Sequence, residues 1–148
     1  MGAVHRLATL NDARRLLEIR RTSILELAPQ GMPLDETGAW AMQLTLSGME
    51  RKLRDLEIWV AELEGMVVGW GAIRVDILEG LYTTPEFAGR GVGTALLDRL
   101  ERLMSERGMQ AVRADASSNA YAFYLRRGYR SSGPQTPGGA WPITKPLR

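Results

Sequence analysis

The chain has 148 residues, one domain's worth, and a chain of that size buries roughly two-thirds of its unfolded surface without help from a metal or a disulfide. Hydrophobic residues make up 45% and charged residues 24%, the profile of a folded globular protein, and a formal net charge of only +2 gives no bulk attraction to nucleic acid. The absence of cysteine and the single histidine, His5, exclude disulfides, thiolate metal sites, Cys nucleophiles and multi-histidine metal centres, and leave a Ser-His-Asp triad one imidazole to draw on.

In chain order, Val4 to Leu7 reads as a first strand. Charged and polar residues between His5 and Arg15 interrupt any signal-peptide core. Thr9 and Asp12 then mark a helix start, with Thr9 as N-cap and Asp12 near the positive end of the dipole. Leu10, Ala13, Leu16, Leu17, Ile24 and Leu27 supply its apolar stripe. Arg14, Arg15, Arg20 and Arg21 are expected on its solvated face. Pro29, Gly31 and Pro33 end this helix. A second helix is expected from about Glu36 to Arg54, carrying Trp40, Leu44 and Met49.

Glu57 to Leu63 and Met66 to Val75 are rich in strand formers, and Glu64-Gly65 between them is a hairpin signal. The longest apolar run, Met66 to Ile73, is interrupted by glycines and is far too short to cross a bilayer. No membrane partner and a cytoplasmic location are therefore expected. Ile77 to Thr83 forms a further strand, stopped by Pro85. A leucine-striped helix follows from Gly91 to about Arg107, with Gly108 as its C-terminal glycine. Gln110 to Ala116 reads as a strand and Asn119 to Arg127 as a short helix closed by Gly128. The proline- and glycine-rich tail has room for two short strands at most. The order predicts a single α/β domain spanning 1–148: a twisted, mixed sheet of six to seven strands with helices on both faces.

The segment from Leu81 to Leu97 carries the chemical information. A strand ends, a glycine-rich loop turns, and a helix begins. Gly89, Gly91 and Gly93 let backbone N–H groups approach an anion, and the helix N-terminus adds unpaired donors. A plain glycine turn before a helix would look the same, but phosphate or diphosphate is the natural guest. A Walker loop is excluded, because no Gly-Lys-Ser/Thr occurs. The spacing is G-x-G-x-G and not the G-x-G-x-x-G of a dinucleotide fold. Asp115 stands where a ribose-binding acid would sit, yet too little chain follows it for the rest of such a fold.

Two signatures resemble the GNAT superfamily of N-acetyltransferases. Leu81-Tyr82-Thr83-Thr84-Pro85 followed by Ala88-Gly89-Arg90-Gly91-Val92-Gly93 is similar to the strand, proline and Q/R-x-x-G-x-G/A loop of the family. Asn119-Ala120-Tyr121-Ala122-Phe123-Tyr124-Leu125-Arg126-Arg127-Gly128-Tyr129 is similar to its Asn-Ala…Phe-Tyr-x-x-x-Gly-Phe/Tyr motif. The opening Arg6 to Ala13 also resembles the family's. The likeness is specific from Leu81 to Tyr129 and weak from Thr22 to Arg54. One position departs: Ala88 stands where Gln or Arg is usual, and a side-chain donor to phosphate is lost.

The resemblance implies a mixed, mostly antiparallel sheet and an N-acetyltransferase that moves the acetyl group of acetyl-CoA to a primary amine in a ternary complex, without metal. The backbone of Gly89, Arg90, Gly91, Val92, Gly93 and Thr94 would hold the diphosphate, with Arg90 or the Thr94 hydroxyl compensating for Ala88. Leu81, Tyr82 and Thr83 would offer strand backbone to the pantetheine arm, and an N–H there would steady an oxyanion. Asn119 is read either as an N-cap or as a cofactor ligand. Tyr124 is the candidate general acid for the departing thiolate, since a phenol with a reference pKa near 10 is protonated at neutral pH; the bland alternative is an aromatic anchor for its helix.

Glu79, two residues before Leu81 and so on its face of the strand, is the candidate base, with Asp76 and Glu62 as rivals and a solvated edge charge as the bland alternative. Trp70 and Trp141 are candidate walls of the acceptor site. The acceptor implied is a small-molecule or peptide amine, with no nucleic acid involved, and the family's habit leaves a homodimer open. Two other functions stay in view: a non-catalytic acyl-CoA-binding regulatory module and a truncated dinucleotide-binding domain.

Overall fold

The computed structural model describes residues 2–27 and 34–147. The first strand, β1 (Val4–Leu7), is followed by a 3-10 turn (Leu10–Asp12) and helices α1 (Ala13–Leu27), α2 (Leu34–Met42) and α3 (Leu46–Asp55). Three antiparallel strands come next, β2 (Glu57–Leu63), β3 (Met66–Arg74) and β4 (Ile77–Thr83). A second 3-10 turn (Pro85–Phe87) leads into α4 (Val92–Glu106), then β5 (Ala111–Ala116), α5 (Ser118–Leu125), β6 (Arg130–Ser131) and β7 (Trp141–Pro146). Pro29, Gly31 and Pro33, the expected terminators of the first helix, lie outside the described residues.

The strands form one seven-stranded sheet in the order β1-β2-β3-β4-β5-β7-β6. Every pairing is antiparallel except β4 with β5, which is parallel and short: Ile77 pairs with Arg113 and Leu78 with Ala114. Beyond that point the two strands separate. The separation begins at a β-bulge, because Ile73 faces Leu78 while Ala72 faces Gly80, leaving Glu79 as the extra residue of β4. A bulge bends its strand and breaks the side-chain alternation. Leu78 and Leu81, three apart, consequently pack with the same core cluster. The expectation that Glu79 shares Leu81's face rested on unbroken alternation, and the bulge removes that basis.

Each face of the sheet has its own core. Ile58, Val60, Trp70 and Ala72 pack against Ala13, Leu16, Leu17 and Ile19 of α1 and Met49 of α3. On the opposite face, Ile73, Leu78, Val112, Ala114 and Ile143 meet Leu97, Leu100 and Met104 of α4 and the rings of Tyr124 and Tyr129. Each Val, Leu, Ile or Met side chain among them contributes roughly 1.5–3 kcal/mol on full burial. Buried Glu101 of α4 accepts hydrogen bonds from Tyr129 Oη at 2.7 Å and Lys145 Nζ at 2.8 Å, so β7 is tied to the helix.

Three further expectations are corrected. The helix read from Glu36 to Arg54 is two helices. Thr45 is extended, and its hydroxyl accepts the Gly48 N–H at 3.1 Å, capping a new helix. Ser117 occupies the N-cap of α5, and Asn119 lies inside the helix, its Oδ1 accepting from Ser117 Oγ at 2.6 Å. Of the four arginines expected on the solvated face of α1, Arg14 is exposed and the other three are not. Arg20 is buried and donates to Ala41 O, Arg21 donates to Leu44 O, and Arg15 donates to Val67 O.

Candidate active site

The parting of β4 and β5 opens a cleft of about 780 Å³. One wall is the end of β4, from Leu78 to Thr83. The other is the end of β5 and α5, including Asp115, Ser117, Asn119, Phe123 and Tyr124. The glycine loop before α4 closes one end, and Ser23, Ile24 and Trp40 of α1 and α2 stand at the cleft as well. A split between parallel strands, with a helix N-terminus at its mouth, is where a mixed α/β sheet places ligands.

The loop is built to receive something close. Gly89 and Gly91 adopt φ of +78° and +84°, a region that L side chains enter only at a cost. At Gly93 a Cβ would lie 3.2 Å from Thr83 Oγ1. Gly91 is the N-cap residue of α4, so no side chain takes up the first-turn N–H groups. Those donors remain for an anion, and the positive end of the dipole favours one.

Of the residues singled out in the sequence, the cleft gathers Leu81, Tyr82, Thr83, Gly89, Gly91, Gly93, Thr94, Asn119, Tyr124 and Glu79. Two loop residues point elsewhere. Val92 is buried in a small cluster with Ala61 and Val68. Arg90 is exposed, its guanidinium 5.4 Å from the centre of the Phe87 ring. The rivals of Glu79 are engaged away from the cleft: Asp76 accepts two hydrogen bonds from Arg113, and Glu62 is paired with Arg6. Glu79 itself accepts from Arg74 Nη2 at 3.0 Å and Nε at 3.2 Å at the cleft rim. Trp70 is fully buried, donates to Leu16 O at 3.0 Å, and is core rather than an acceptor wall. Trp141 stacks on Tyr121 with centroids 5.0 Å apart.

Tyr124 is 7% exposed. Burial, with Tyr82 nearby as the second cause, pushes its phenol well above the ordinary value. It stays protonated through the neutral range, the form that can donate. Tyr82 packs on Trp70 with centroids 4.8 Å apart and also lines the cleft. Sequence reasoning missed Arg127. Its Nε donates to Thr94 Oγ1 at 2.9 Å, its Nη1 donates to Phe123 O at 2.8 Å, and its guanidinium lies 3.6 Å from the centre of the Phe123 ring. The available signal was the Phe123/Arg127 spacing of four, one turn apart on a helix. Among the described residues, no group of three or more His, Asp or Glu side chains is placed to hold a metal ion, and no helix is long and apolar enough to cross a membrane.

A sheet parted at its one parallel pair, with an uncapped glycine-loop helix at the opening, defines an α/β fold with an anion-accepting cleft. Residues 54–131 match the family model described as acetyltransferase (GNAT) domain. The chain is 30% identical over 120 residues to the uncharacterised N-acetyltransferase YafP of Escherichia coli, covering 81% of this chain and 76% of that one. A GCN5-related N-acetyltransferase structure from Rhodopseudomonas palustris superposes with a TM-score of 0.91 at 29% identity, covering 99% of this chain and 97% of that one. The fold is shared with PaiA N-acetyltransferase from Thermoplasma acidophilum, solved in complex with coenzyme A, at a TM-score of 0.84 and 19% identity, covering 99% and 100% of the two chains. The chain belongs to the GNAT acetyltransferases.

Proposed function

We propose that this acetyltransferase moves the acetyl group of acetyl-CoA to a primary amine held in the same cleft. The observation that carries the reading is the junction of the β4–β5 split with the uncapped N-terminus of α4. The split supplies unpaired strand backbone for an amide-bearing arm, and the helix supplies donors for a diphosphate. A Cβ at Gly93 would narrow the approach beside Thr83, so the loop fits a closely held phosphate. Backbone N–H groups from Gly89 to Thr94, apart from that of Arg90, which donates to Phe87 O at 3.2 Å, would hold that phosphate, and Leu81 to Thr83 would hold the arm. Asn119 lines the same wall.

Acetyl-CoA supplies an electrophilic acetyl carbon on a thioester; the chain supplies protons and position. Glu79, at the rim, takes the proton from the incoming ammonium, directly or through water, so that a neutral amine attacks. A backbone N–H of β4 steadies charge on the carbonyl oxygen. Tyr124 Oη gives its proton to the leaving sulfur and regains one, directly or through water, from the attacking nitrogen as the amide forms, and no covalent acyl-enzyme is needed. The acceptor, a small molecule or a peptide amine, enters beside Ser23, Ile24 and Trp40. We place this reaction in the cytoplasm, carried out by residues 1–148 as one domain, with a homodimer as the assembly to test by light scattering.

Calorimetric titration checks the cofactor assignment. CoA is expected to bind with one site per chain while NAD does not compete. Binding of NAD at the same site, displaced by CoA only weakly, would contradict it and favour a dinucleotide-binding domain.

A further inference from the structure

Arg127 follows the last turn of α5 and precedes Gly128. Three of its five N–H groups are spent locally, on Phe123 O and, from Nε and Nη2, on Thr94 Oγ1. The guanidinium plane is further held over the Phe123 ring. Among the described residues, none of the ion pairs includes Arg127. A half-buried cation is thus fixed in orientation, uncompensated, with N–H groups to spare. Thr94, which carries it, sits in the first turn of α4, and Arg127, Thr94, Phe123 and Gly93 all line the cleft. The Thr94 hydroxyl accepts both bonds and keeps its own O–H, so it orients a stronger, charged donor beside the glycine loop.

We infer that Arg127 is the side-chain donor to the diphosphate of CoA and takes the place left empty by Ala88. The inference rests on the acetyl-CoA reading. Arg90, in the loop itself, is exposed over Phe87 and outside the cleft lining, and Arg126, which lines the cleft beside Arg127, is exposed. A guanidinium presents paired donors to a phosphate in one plane, which an ammonium does not. Thr94 and Phe123 have already ordered this one, so little side-chain entropy is lost on binding.

The test compares three ligands on four proteins. Calorimetry is run with CoA and with 3′-dephospho-CoA, and a chemical-shift titration is run with pantetheine, which lacks phosphate. The proteins are the wild type, Arg127→Met, Arg127→Lys and Arg127→Met/Ala88→Gln, each first shown folded by thermal unfolding. Arg127→Met is expected to weaken CoA and 3′-dephospho-CoA alike, by about ten- to a hundredfold for a charge-assisted contact, and to leave pantetheine unchanged. Arg127→Lys should recover part of the loss, and Ala88→Gln should recover part of it in the Met background. Wild-type CoA affinity in Arg127→Met would overturn the inference. So would an equal loss on pantetheine, which marks a merely structural clamp, or a loss confined to CoA, which marks a 3′-phosphate contact. A wild type that binds none of these ligands overturns the acetyl-CoA reading itself.

Discussion

The two residues proposed for proton transfer differ in setting, and their variants should differ accordingly. Tyr124 is buried, with its phenol raised above the ordinary value by burial and by Tyr82. Tyr124→Phe keeps the ring packed against Tyr129, 5.3 Å away, and removes only the hydroxyl. Turnover is expected to fall roughly ten- to a hundredfold, the low end for a general acid because a thiolate leaves readily, with CoA affinity unchanged. Because the pKa is raised, loss of the proton lies above the pH range of an ordinary phenol. The wild-type rate should therefore show no Tyr124 limb up to about pH 10, and steady-state profiles of the two proteins should be parallel. Glu79 sits at the rim, tied to exposed Arg74. Glu79→Gln is expected to slow turnover most near neutrality and least at high pH, where free amine is abundant. A loss that is uniform across pH would reassign the residue to positioning. Its thermal midpoint should barely change, since an exposed pair contributes about 0–1 kcal/mol.

At the scale of elements, strands and glycine turns were legible in the sequence because their signals are local. Glu64-Gly65 turns with φ of 52° and 80°, and Gly108 closes α4 at φ of 84°, as the residue types suggest. The division of α2 from α3 was hidden, because Trp40, Leu44 and Met49 continue an apolar rhythm across it. Only Thr45's bond to Gly48 reveals a cap. Thr45→Ala is expected to cost about 1 kcal/mol, read as a lower urea midpoint with an unchanged slope. The turn from β3 to β4 is strained: Val75, exposed and β-branched, adopts φ of 57°. Val75→Gly removes a left-handed penalty of about 1–2 kcal/mol and adds about 0.5–1 kcal/mol of chain entropy. A net gain in urea midpoint is the expected outcome.

For the whole molecule, paired carboxylates set the acid limit. Arg6 holds Asp12 below the usual carboxylate range, Arg107 does so for Glu57, and Arg113 for Asp76. A folded-state pKa lowered in this way adds stability that is present at neutral pH and lost as pH falls through the folded pKa. The urea midpoint should therefore drop below about pH 5, and Asp12→Asn should make that drop shallower while costing about 0.5–1 kcal/mol at neutrality for a solvent-screened pair. The candidate site was legible where one motif holds its parts, as in the glycine loop and in Asn119 to Tyr129. It was not legible where distant residues meet. The bulge at Glu79 exists only through β3, and Arg127 reaches Thr94 across 33 positions.

Acetyl transfer in the β4–β5 cleft is measured as release of CoA thiol from acetyl-CoA across an amine library. At least one primary amine is expected to yield thiol and N-acetylated product in equal amounts, and Tyr124→Phe to slow both together. Tight CoA binding with no acetylated product from any amine, including peptide N-termini, would contradict it and leave a regulatory acyl-CoA-binding module in its place.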